Sequence, residues 1–433
     1  MSRPMAYSYP PGPPATATAG HYGHVAAGGR GWTLCAAGVL CALTLSAVKI
    51  PLGFDLRIGQ IVLAGVFFML ILYDTQRRQI HWGVLLAVLG CGITLSALST
   101  FSPYPRIKEL TFIVKYVTVF PMAFYAGVRF LPLVGARRLA LILELTLLFG
   151  SVLAVVLYVH PVPALIHERP AYLSYGLKGS FWEQGDFAFF VGLFLIASLA
   201  LRIEHRHWPR RRWPLLLLYI FAIGCALASY NKSIWIALIG ACLAAALFYR
   251  GQPHISGVAR AWALRLALIG VIVAIALVAY NEWLPSGEKL VTAAMLQNKW
   301  DNERGEALRV AWGLIMQAPW LGHGFGFVEA YFGNYPSKIV GLGDGVSQLF
   351  NVYLDLWLSA GVPGIIYAFG LLFIVFSGRS LLSVLVVSYL FVFANANPVG
   401  QSEYYHLFLG MAFAAARAAQ ALPAPAARWR HTA

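Results

Sequence analysis

Apolar stretches long enough to cross a lipid bilayer recur along almost the whole chain, and no other feature constrains the fold as strongly. A membrane-spanning α-helix needs about 20 consecutive, mainly apolar residues. The chain of 433 residues has a mean hydropathy of +0.69, and only 11% of its residues are charged. Inside a bilayer, the backbone polar groups of such a stretch are satisfied by forming a helix. The sequence therefore predicts an all-α, polytopic integral membrane protein.

The apolar stretches and their connections predict about twelve transmembrane helices and divide the chain into five regions. The first segment is rich in Pro, Gly and Ala without periodicity, which predicts disorder, and it has no signal-peptide pattern. The predicted regions are a cytoplasmic tail at 1–31, nine helices at 32–280, a large, partly helical periplasmic loop at 281–349, three helices at 350–421 and a cytoplasmic tail at 422–433. The helices begin near Trp32, Leu56, Trp82, Glu109, Leu139, Phe187, Trp213, Ser233, Leu266, Phe350, Ser380 and His406.

Arginine and lysine are distributed unequally between the two ends of the predicted helices. With the N-terminus inside, every even-numbered connection is cytoplasmic and follows the positive-inside rule; the segment 202–212 alone carries five arginines. This topology signal explains the net charge of +15, and we predict no nucleic-acid partner. Translocation disfavours cations on the outer side, so we expect the lysines there to serve an anionic ligand. These are Lys108, Lys178, Lys232, Lys289, Lys299 and Lys338.

A charged stretch at 298–326 stands out in the largest outer loop. Its apolar residues have helical spacing, which predicts an amphipathic helix ending before Pro319. Arg304 falls on the apolar face in the first turn, with Arg309 at its margin. A cation there opposes the helix dipole unless an anion binds between the guanidinium and the free N–H groups. The alternatives are a pair with Glu306 or another carboxylate, or a side chain that reaches water. The predicted apolar face comprises Leu308, Ala311, Trp312, Ile315 and Met316.

Four further residues of this outer side and its helices are candidates for chemistry. His323 lies between glycines, which suits a general base or a phosphate donor, although a simple turn is the alternative. Its neighbours offer no metal-ligand spacing. Lys232, in a tight Asn-Lys-Ser turn, either binds an anion or extends to the membrane surface. Lys178 either binds an anion or pairs with a nearby carboxylate. Lys115, inside the fourth predicted helix, must face a partner or a cavity.

Three outer segments follow one another in a recognisable order: SYNKSIWIAL, RGEALRVAWGLIMQAPWLGHGFG and FNVYLDLWLSAGVPG. They resemble the turn-plus-helix segment, the Arg…Trp…Pro-x-x-Gly-x-Gly-x-Gly stretch and the helix-opening segment of the O-antigen ligase and Wzy-type polymerase superfamily. NANPVGQSEYYHLFLG is similar to an outer turn of exopolysaccharide polymerases. The resemblance consists of scattered motifs between Leu173 and Leu409.

One position departs from the pattern of the ligases in this superfamily. Ligases carry His-Asn, nine residues, then Gly-x-x-Gly. Asn351, Gly361 and Gly364 keep this spacing, but Phe350 occupies the histidine position. Because Phe cannot take a proton or bind phosphate, the departure favours the exopolysaccharide polymerase branch. An O-antigen ligase that transfers glycan to lipid A-core, and a polysaccharide-lipid transporter or flippase, remain the alternatives.

The resemblance implies a C-type glycosyltransferase fold in the bacterial inner membrane, with a periplasmic active site. It also implies an inverting, metal-independent transfer between undecaprenyl-diphosphate-linked glycans, without cofactors. Membrane lipids, a chain-length co-polymerase and export proteins are the other candidate partners. Together with the residue analysis, this predicts His323, Arg304 and Glu306 as catalytic residues. The predicted diphosphate-binding residues are Arg304, Arg309, Lys232, Lys178 and Lys338.

Overall fold

The computed structural model describes residues 29–51, 55–77, 79–101, 107–167, 176–181, 183–252, 255–258, 260–261, 265, 279, 304–332 and 349–421. These residues are mainly helical, with one short antiparallel hairpin of β1 (Lys49–Pro51) and β2 (Asp55–Arg57). The helices are α1 (Gly29–Thr44), α2 (Ile58–Gln76), α3 (Trp82–Ser99), α4 (Ile107–Val114), α5 (Phe120–Val134), α6 (Ala136–Val159), α7 (Gln184–Glu204), α8 (Trp213–Ala228), α9 (Ser233–Phe248), α10 (Arg304–Gln317), α11 (Phe327–Phe332), α12 (Val352–Val375), α13 (Leu381–Ala394) and α14 (Glu403–Ala421). A π-helical turn, Lys115–Val119, joins α4 to α5, and 3₁₀ turns cover Pro163–Leu165 and Val399–Gln401.

The helices have the length and composition of membrane spans, which confirms the predicted all-α membrane protein. Six segments of the described chain are long and apolar enough to cross a bilayer, and α8, α9 and α13 are shorter apolar helices. The ninth predicted helix, near Leu266, falls mostly outside the described residues, so the total of twelve stays a prediction. The six segments are Ile58–Gln76, Trp82–Ser99, Leu110–Val134, Ala136–Val159, Gln184–Glu204 and Val352–Val375.

The helices are apolar on all sides because they meet protein on one side and lipid on the other. Among the six candidate spans, that of α7 has the largest buried share, 83%. The peripheral α8 instead exposes Leu216, Leu217 and Ile220 outwards. Large exposed apolar side chains on such helices are the surface that a bilayer would cover.

The ends of the helices sort into two groups, as the alternation of loops predicts. At one end, which we call the arginine-rich end, lie residues 205–212, 249–252 and 376–380. There Glu204 accepts hydrogen bonds from the N–H groups of Leu381 and Leu382, at 3.2 and 3.3 Å. At the opposite loop end lie residues 45–57, 160–167, 176–181, 229–232 and 395–402. The side of the membrane that each end faces stays a prediction from the positive-inside rule.

Two buried ion pairs fix the helices near the arginine-rich end. Arg202 donates from Nε and Nη2 to the two carboxylate oxygens of Glu144, at 2.9 and 2.6 Å, and so ties α7 to α6. Arg129 donates to Asp74 at 2.5 Å and ties α5 to α2. Charges this deeply buried are tolerated only when they are paired and hydrogen-bonded. These arginines therefore hold the bundle together as well as marking topology.

Candidate active site at the loop end

Helix α12 is interrupted at Gly361, and the turn at 319–326 fills the interruption. Gly361 has φ 63° and ψ −149°, and Pro363 follows it, so the helical hydrogen bonding fails on both sides. The turn supplies the missing partners through backbone groups. His323 N–H donates to Leu358 O at 2.8 Å, Gly324 N–H to Ser359 O at 2.8 Å, and Val362 N–H to Trp320 O at 3.2 Å.

This docking explains the glycines of the Pro-x-x-Gly-x-Gly-x-Gly motif. The three glycines of the turn have φ of 71°, 91° and 85°, which L-residues with side chains rarely adopt. A Cβ on Gly361 would overlap the backbone of Trp320, and one on Gly322 would overlap that of Ser359–Gly361. The motif is therefore a device that locks the loop onto α12. The glycines with positive φ are Gly322, Gly324 and Gly326.

Helix α10 confirms the predicted amphipathic helix but packs through a different face. It runs from Arg304 to Gln317 and ends before Pro319, as predicted. The predicted face is wrong by about one position, because Trp312 and Met316 are exposed. Residues at positions 307 and 314 take their place against α12, since a helix with Leu, Trp and Met on several sides can pack in more than one rotation. The buried face consists of Ala307, Ala311, Leu314 and Ile315.

His323 is half-buried, not the freely accessible side chain that its flanking glycines suggested. Its Nε2 lies 2.8 Å from the carbonyl oxygen of Leu314, and its ring stacks on Phe327 at a centroid distance of 4.4 Å. A carbonyl oxygen only accepts, so Nε2 must carry a proton in this contact. Any proton that His323 takes up in a reaction must therefore go to Nδ1.

The turn 319–326 reaches the membrane-spanning part of the bundle through Phe325. This buried ring stacks on Tyr116 at 4.8 Å and on Phe112 at 6.0 Å. The Nζ of Lys115 lies 5.8 Å from the centre of the Phe112 ring. The turn that carries His323 is thus attached through Phe325 to the π-helical turn. This contact could not be predicted from the sequence, because it joins residues about 200 positions apart.

Lys115 belongs to a group of charged residues at the loop end, which we call the loop-end cluster. The charged side chains of Arg57, Glu403, Asp186 and Lys49 interact with it electrostatically. This confirms that Lys115 faces partners rather than lipid. The cluster is defined as Lys49, Arg57, Lys115, Lys178, Asp186 and Glu403.

His167 marks the other side of the loop-end cluster. Burial, followed by the positive charges of Arg57, Lys49 and Lys178, lowers the pKa of His167 to about 4. Lys178 is the predicted diphosphate ligand that the structure places here, and its Nζ donates to the carbonyl of His167 at 3.0 Å. At neutral pH, His167 is therefore a neutral side chain among cations.

The other predicted site residues occupy separate places. Lys232 is exposed in the turn before α9, and Arg309 is exposed on α10, where its Nε donates to Gly305 O at 3.4 Å. Arg304 and Glu306 contribute backbone to α10, but their side chains, like the whole of Lys338, lie outside the described residues. In the described part of the chain, the α10–α12 packing unit is distinct from the main core that contains the residues around Lys178. Convergence on one cavity stays a prediction.

The residues that match the ligase pattern around position 350 have backbone roles. The side chain of Asn351 caps α12 by accepting from the N–H groups of Tyr353 and Leu354, at 2.9 and 3.1 Å. Its amide also donates to Asn395 at 3.2 Å. Phe350 instead packs against the α10–α12 unit through its ring. A different side chain at position 350 can therefore change the chemistry of the site without disturbing the N-cap of α12 that Asn351 forms.

The family model described as O-Antigen ligase (Wzy_C) matches residues 217–369, from α8 through the interruption of α12. The chain carries a domain of the O-antigen ligase and Wzy superfamily. Comparison with curated proteins finds no match. The matched range includes Lys232, α10 and the turn 319–326, so three of the four motif segments lie inside it, whereas NANPVGQSEYYHLFLG lies outside. All six residues of the loop-end cluster lie outside it. The match supports a glycan-handling membrane protein of the ligase or polymerase type, and the family implies lipid-linked glycan substrates.

Proposed function

We propose that the protein is an inverting glycosyltransferase that polymerises undecaprenyl-diphosphate-linked repeat units at the periplasmic face of the bacterial inner membrane. The product is a surface polysaccharide or exopolysaccharide. The O-antigen ligase domain supports the choice of substrates. The observation that carries the choice of polymerase is Phe350, which stands where ligases have a histidine while Asn351 keeps its capping role.

The reaction needs a nucleophile, a base and stabilisation of a leaving group. A hydroxyl oxygen of the acceptor sugar attacks the anomeric carbon of the donor, and the bond from that carbon to the diphosphate oxygen breaks. The hydroxyl proton passes to a base, and lipid diphosphate leaves with the electron pair. We assign His323 as the base through Nδ1, with Glu306 as the alternative base. Because diphosphate is a good leaving group, cations can stabilise its developing charge.

The diphosphate ligands are assigned from residue type and position on the outer loops. Guanidinium groups bind phosphate oxygens in pairs, which suits Arg304 at the start of α10. Lys232, in the turn before α9, is exposed and within the O-antigen ligase domain. Arg309, Lys178 and Lys338 complete the proposed set. In this arrangement, α10 and its neighbours form a lid over lipid substrates that arrive through the membrane.

Two other functions remain alternatives. A ligase would move the glycan to lipid A-core, and the description of the matched family favours it. A transporter would have interrupted helices, as α12 is. Yet the interruption at Gly361 is occupied by the turn 319–326, whereas a transport site would leave it lining a cavity. Transport is therefore the weaker alternative.

The decisive experiment supplies the purified full-length protein, in lipid nanodiscs, with lipid-linked repeat units alone or together with lipid A-core. Nanodiscs without protein provide the blank. We expect polymer of increasing length from repeat units alone, separated by gel electrophoresis. Product that forms only when lipid A-core is present would replace the polymerase with a ligase. The variant Phe350→His tests whether position 350 selects the acceptor. If it does, this variant should gain the ability to transfer glycan onto lipid A-core.

A further inference from the structure

We propose that Lys49, Arg57 and Lys115 form an anion-binding site that takes the diphosphate of a lipid-linked substrate entering from the membrane. These residues differ from the cations assigned above, and all three lie outside the O-antigen ligase domain. The site deepens the proposed function, on which it rests for the identity of the lipid. A polymerase needs two lipid diphosphates at once, and this is a place for the second.

Lys115 is the residue that requires an explanation first. It lies within the span Leu110–Val134, where an ammonium group is costly unless it has partners. It also begins the π-helical turn Lys115–Val119. Such turns are rare and often occur at functional sites, because they distort the helix. A lysine at this position therefore needs charged or polar partners.

Among the described residues, the charged groups that act on Lys115 and His167 include more cations than carboxylates. Arg57 and Lys49 add positive charge beside Lys115, and Glu403 and Asp186 add negative charge. Lys178 joins Arg57 and Lys49 around His167, so the cluster holds four cations and two carboxylates. Like charges repel strongly where water is scarce. A diphosphate, with several negative oxygens, would offset the excess.

The cluster rests on a rigid framework, which distinguishes it from a group of surface lysines. Glu403 is 6% exposed and accepts a hydrogen bond from Gln60 at 2.6 Å. Arg57, Gln60 and Glu403 line one small cavity between α1, α2 and α14. Ser46 donates to the carbonyl of Ser180 at 2.5 Å, and the hydroxyl of Ser180 accepts from Ala47 N–H at 3.1 Å. The hairpin with Lys49 and Arg57 is thereby anchored to the loop of Lys178.

The cluster also lies next to the segment proposed for catalysis. Lys115 lies over the ring of Phe112, which stacks on Phe325 of the turn 319–326. A diphosphate bound at Lys115 would therefore be held against the turn that carries His323. An anion site far from this turn would have no part in the transfer.

The test measures binding to the purified full-length protein in nanodiscs of phosphatidylcholine, without any turnover. The probes are farnesyl diphosphate, inorganic diphosphate and farnesol, and the variants are Lys115→Met and Arg57→Gln. We expect farnesyl diphosphate to bind and each variant to weaken it roughly tenfold or more, the loss of one charge-assisted hydrogen bond. Farnesol should not compete. Arg210→Gln, at an exposed cation of the arginine-rich end, is the matched control and should leave affinity unchanged.

Several results would overturn the proposal. If both variants bind farnesyl diphosphate as tightly as the wild type, the proposed site is wrong. If inorganic diphosphate binds as tightly as farnesyl diphosphate, the ligand is not specifically a lipid diphosphate. Lys115→Arg should retain binding, which separates loss of charge from misfolding, and Arg57→Gln tests the site even if changes at Lys115 prevent folding. If binding depends on Lys115 but the protein forms no polymer, the anion site is supported and only the polymerase function is refuted. If the wild type forms polymer and the variants still bind farnesyl diphosphate with undiminished affinity, only the anion site is refuted.

Discussion

The single residue His323 has both a structural role and a proposed chemical role. Its backbone N–H closes the interruption of α12, and its Nε2 is committed to the carbonyl of Leu314. Only Nδ1 is then suited to accept a proton. A substitution at this position therefore mixes loss of a hydrogen bond with loss of a base, and the two have to be separated by the choice of side chain.

We expect His323→Gln and His323→Ala to abolish transfer to a similar extent, by roughly 10²-fold or more, as for loss of a general base. The Gln amide can still donate to Leu314, so this variant keeps the turn in place. The measurement is the rate of polymer formation together with the affinity for farnesyl diphosphate, which should remain. If His323→Gln keeps near-normal activity while His323→Ala loses it, the residue acts only through the hydrogen bond.

His167 predicts a dependence of stability on pH. Its pKa is lowered to about 4 in the folded protein, from the ordinary value of 6.5. Between these values the unfolded chain binds more protons, so the free energy of unfolding falls as pH decreases from about 6.5 to 4. In His167→Gln, the free energy of unfolding should fall by roughly 1–3 kcal/mol less over this pH range than in the wild type. Thermal unfolding at pH 7 and 4.5 measures it, with the exposed His160→Gln as control. An identical pH response in His167→Gln and wild type would contradict the assignment.

Among the secondary-structure elements, the interrupted helix α12 and the turn 319–326 form one structural unit. The turn satisfies backbone groups that Gly361 and Pro363 free, and Asn351 caps the start of the same helix. The loop is thus attached to the bundle through main-chain contacts as well as through Phe325 and the buried face of α10. The main-chain contacts predict that the glycines matter more than their small size suggests.

Gly361→Ala should detach the turn from α12. The positive φ costs roughly 1–2 kcal/mol for a residue with a Cβ, and the overlap with Trp320 adds to this. We expect a lower unfolding temperature and faster proteolysis near the turn 319–326. Gly370→Ala on the same helix is the control, because a Cβ there meets no atom within 4 Å. Equal behaviour of the two variants would show that the interruption does not hold the turn.

The Glu144–Arg202 pair gives a prediction for the packing of α6 against α7. Glu144→Gln leaves a buried guanidinium without its carboxylate and should lower stability by roughly 3–5 kcal/mol. The double variant Glu144→Leu with Arg202→Met removes both charges and should recover most of this loss. Thermal unfolding of the three proteins in detergent measures the effect. A double variant that is no more stable than Glu144→Gln would mean that the pair is not coupled.

The whole molecule follows the sequence pattern closely in its helices and less closely in its site. Apolar length and the spacing of arginines predict helices and the alternation of their ends, because these depend on local composition. The meeting of Arg57, Lys115 and Glu403 depends on how distant helices pack, and single residues carry no signal for it. The rotation of α10 was wrong for a related reason: Trp312 and Met316 are apolar but face outwards.

The orientation of the whole molecule can be tested by cysteine labelling. Tyr230→Cys places a thiol at the loop end, and His207→Cys places one at the arginine-rich end; both positions are exposed. In intact cells of a Gram-negative host with a permeabilised outer membrane, an impermeant maleimide should label the first and not the second. The wild type, whose cysteines lie in the helices, gives the background. Labelling of the His207 position from outside would invert the topology and remove the periplasmic site.

The central claim is that a lipid diphosphate is handled at the loop end, beside the turn 319–326. The most direct measurement is photo-crosslinking with a farnesyl diphosphate analogue that carries a diazirine on the first isoprene unit. The labelled full-length protein is digested and the modified peptides are identified by mass spectrometry. We predict modification within 46–60, 107–119 or 319–332, suppressed by excess farnesyl diphosphate. Competed modification confined to 205–212, 249–252 or 376–380 at the arginine-rich end would contradict the account.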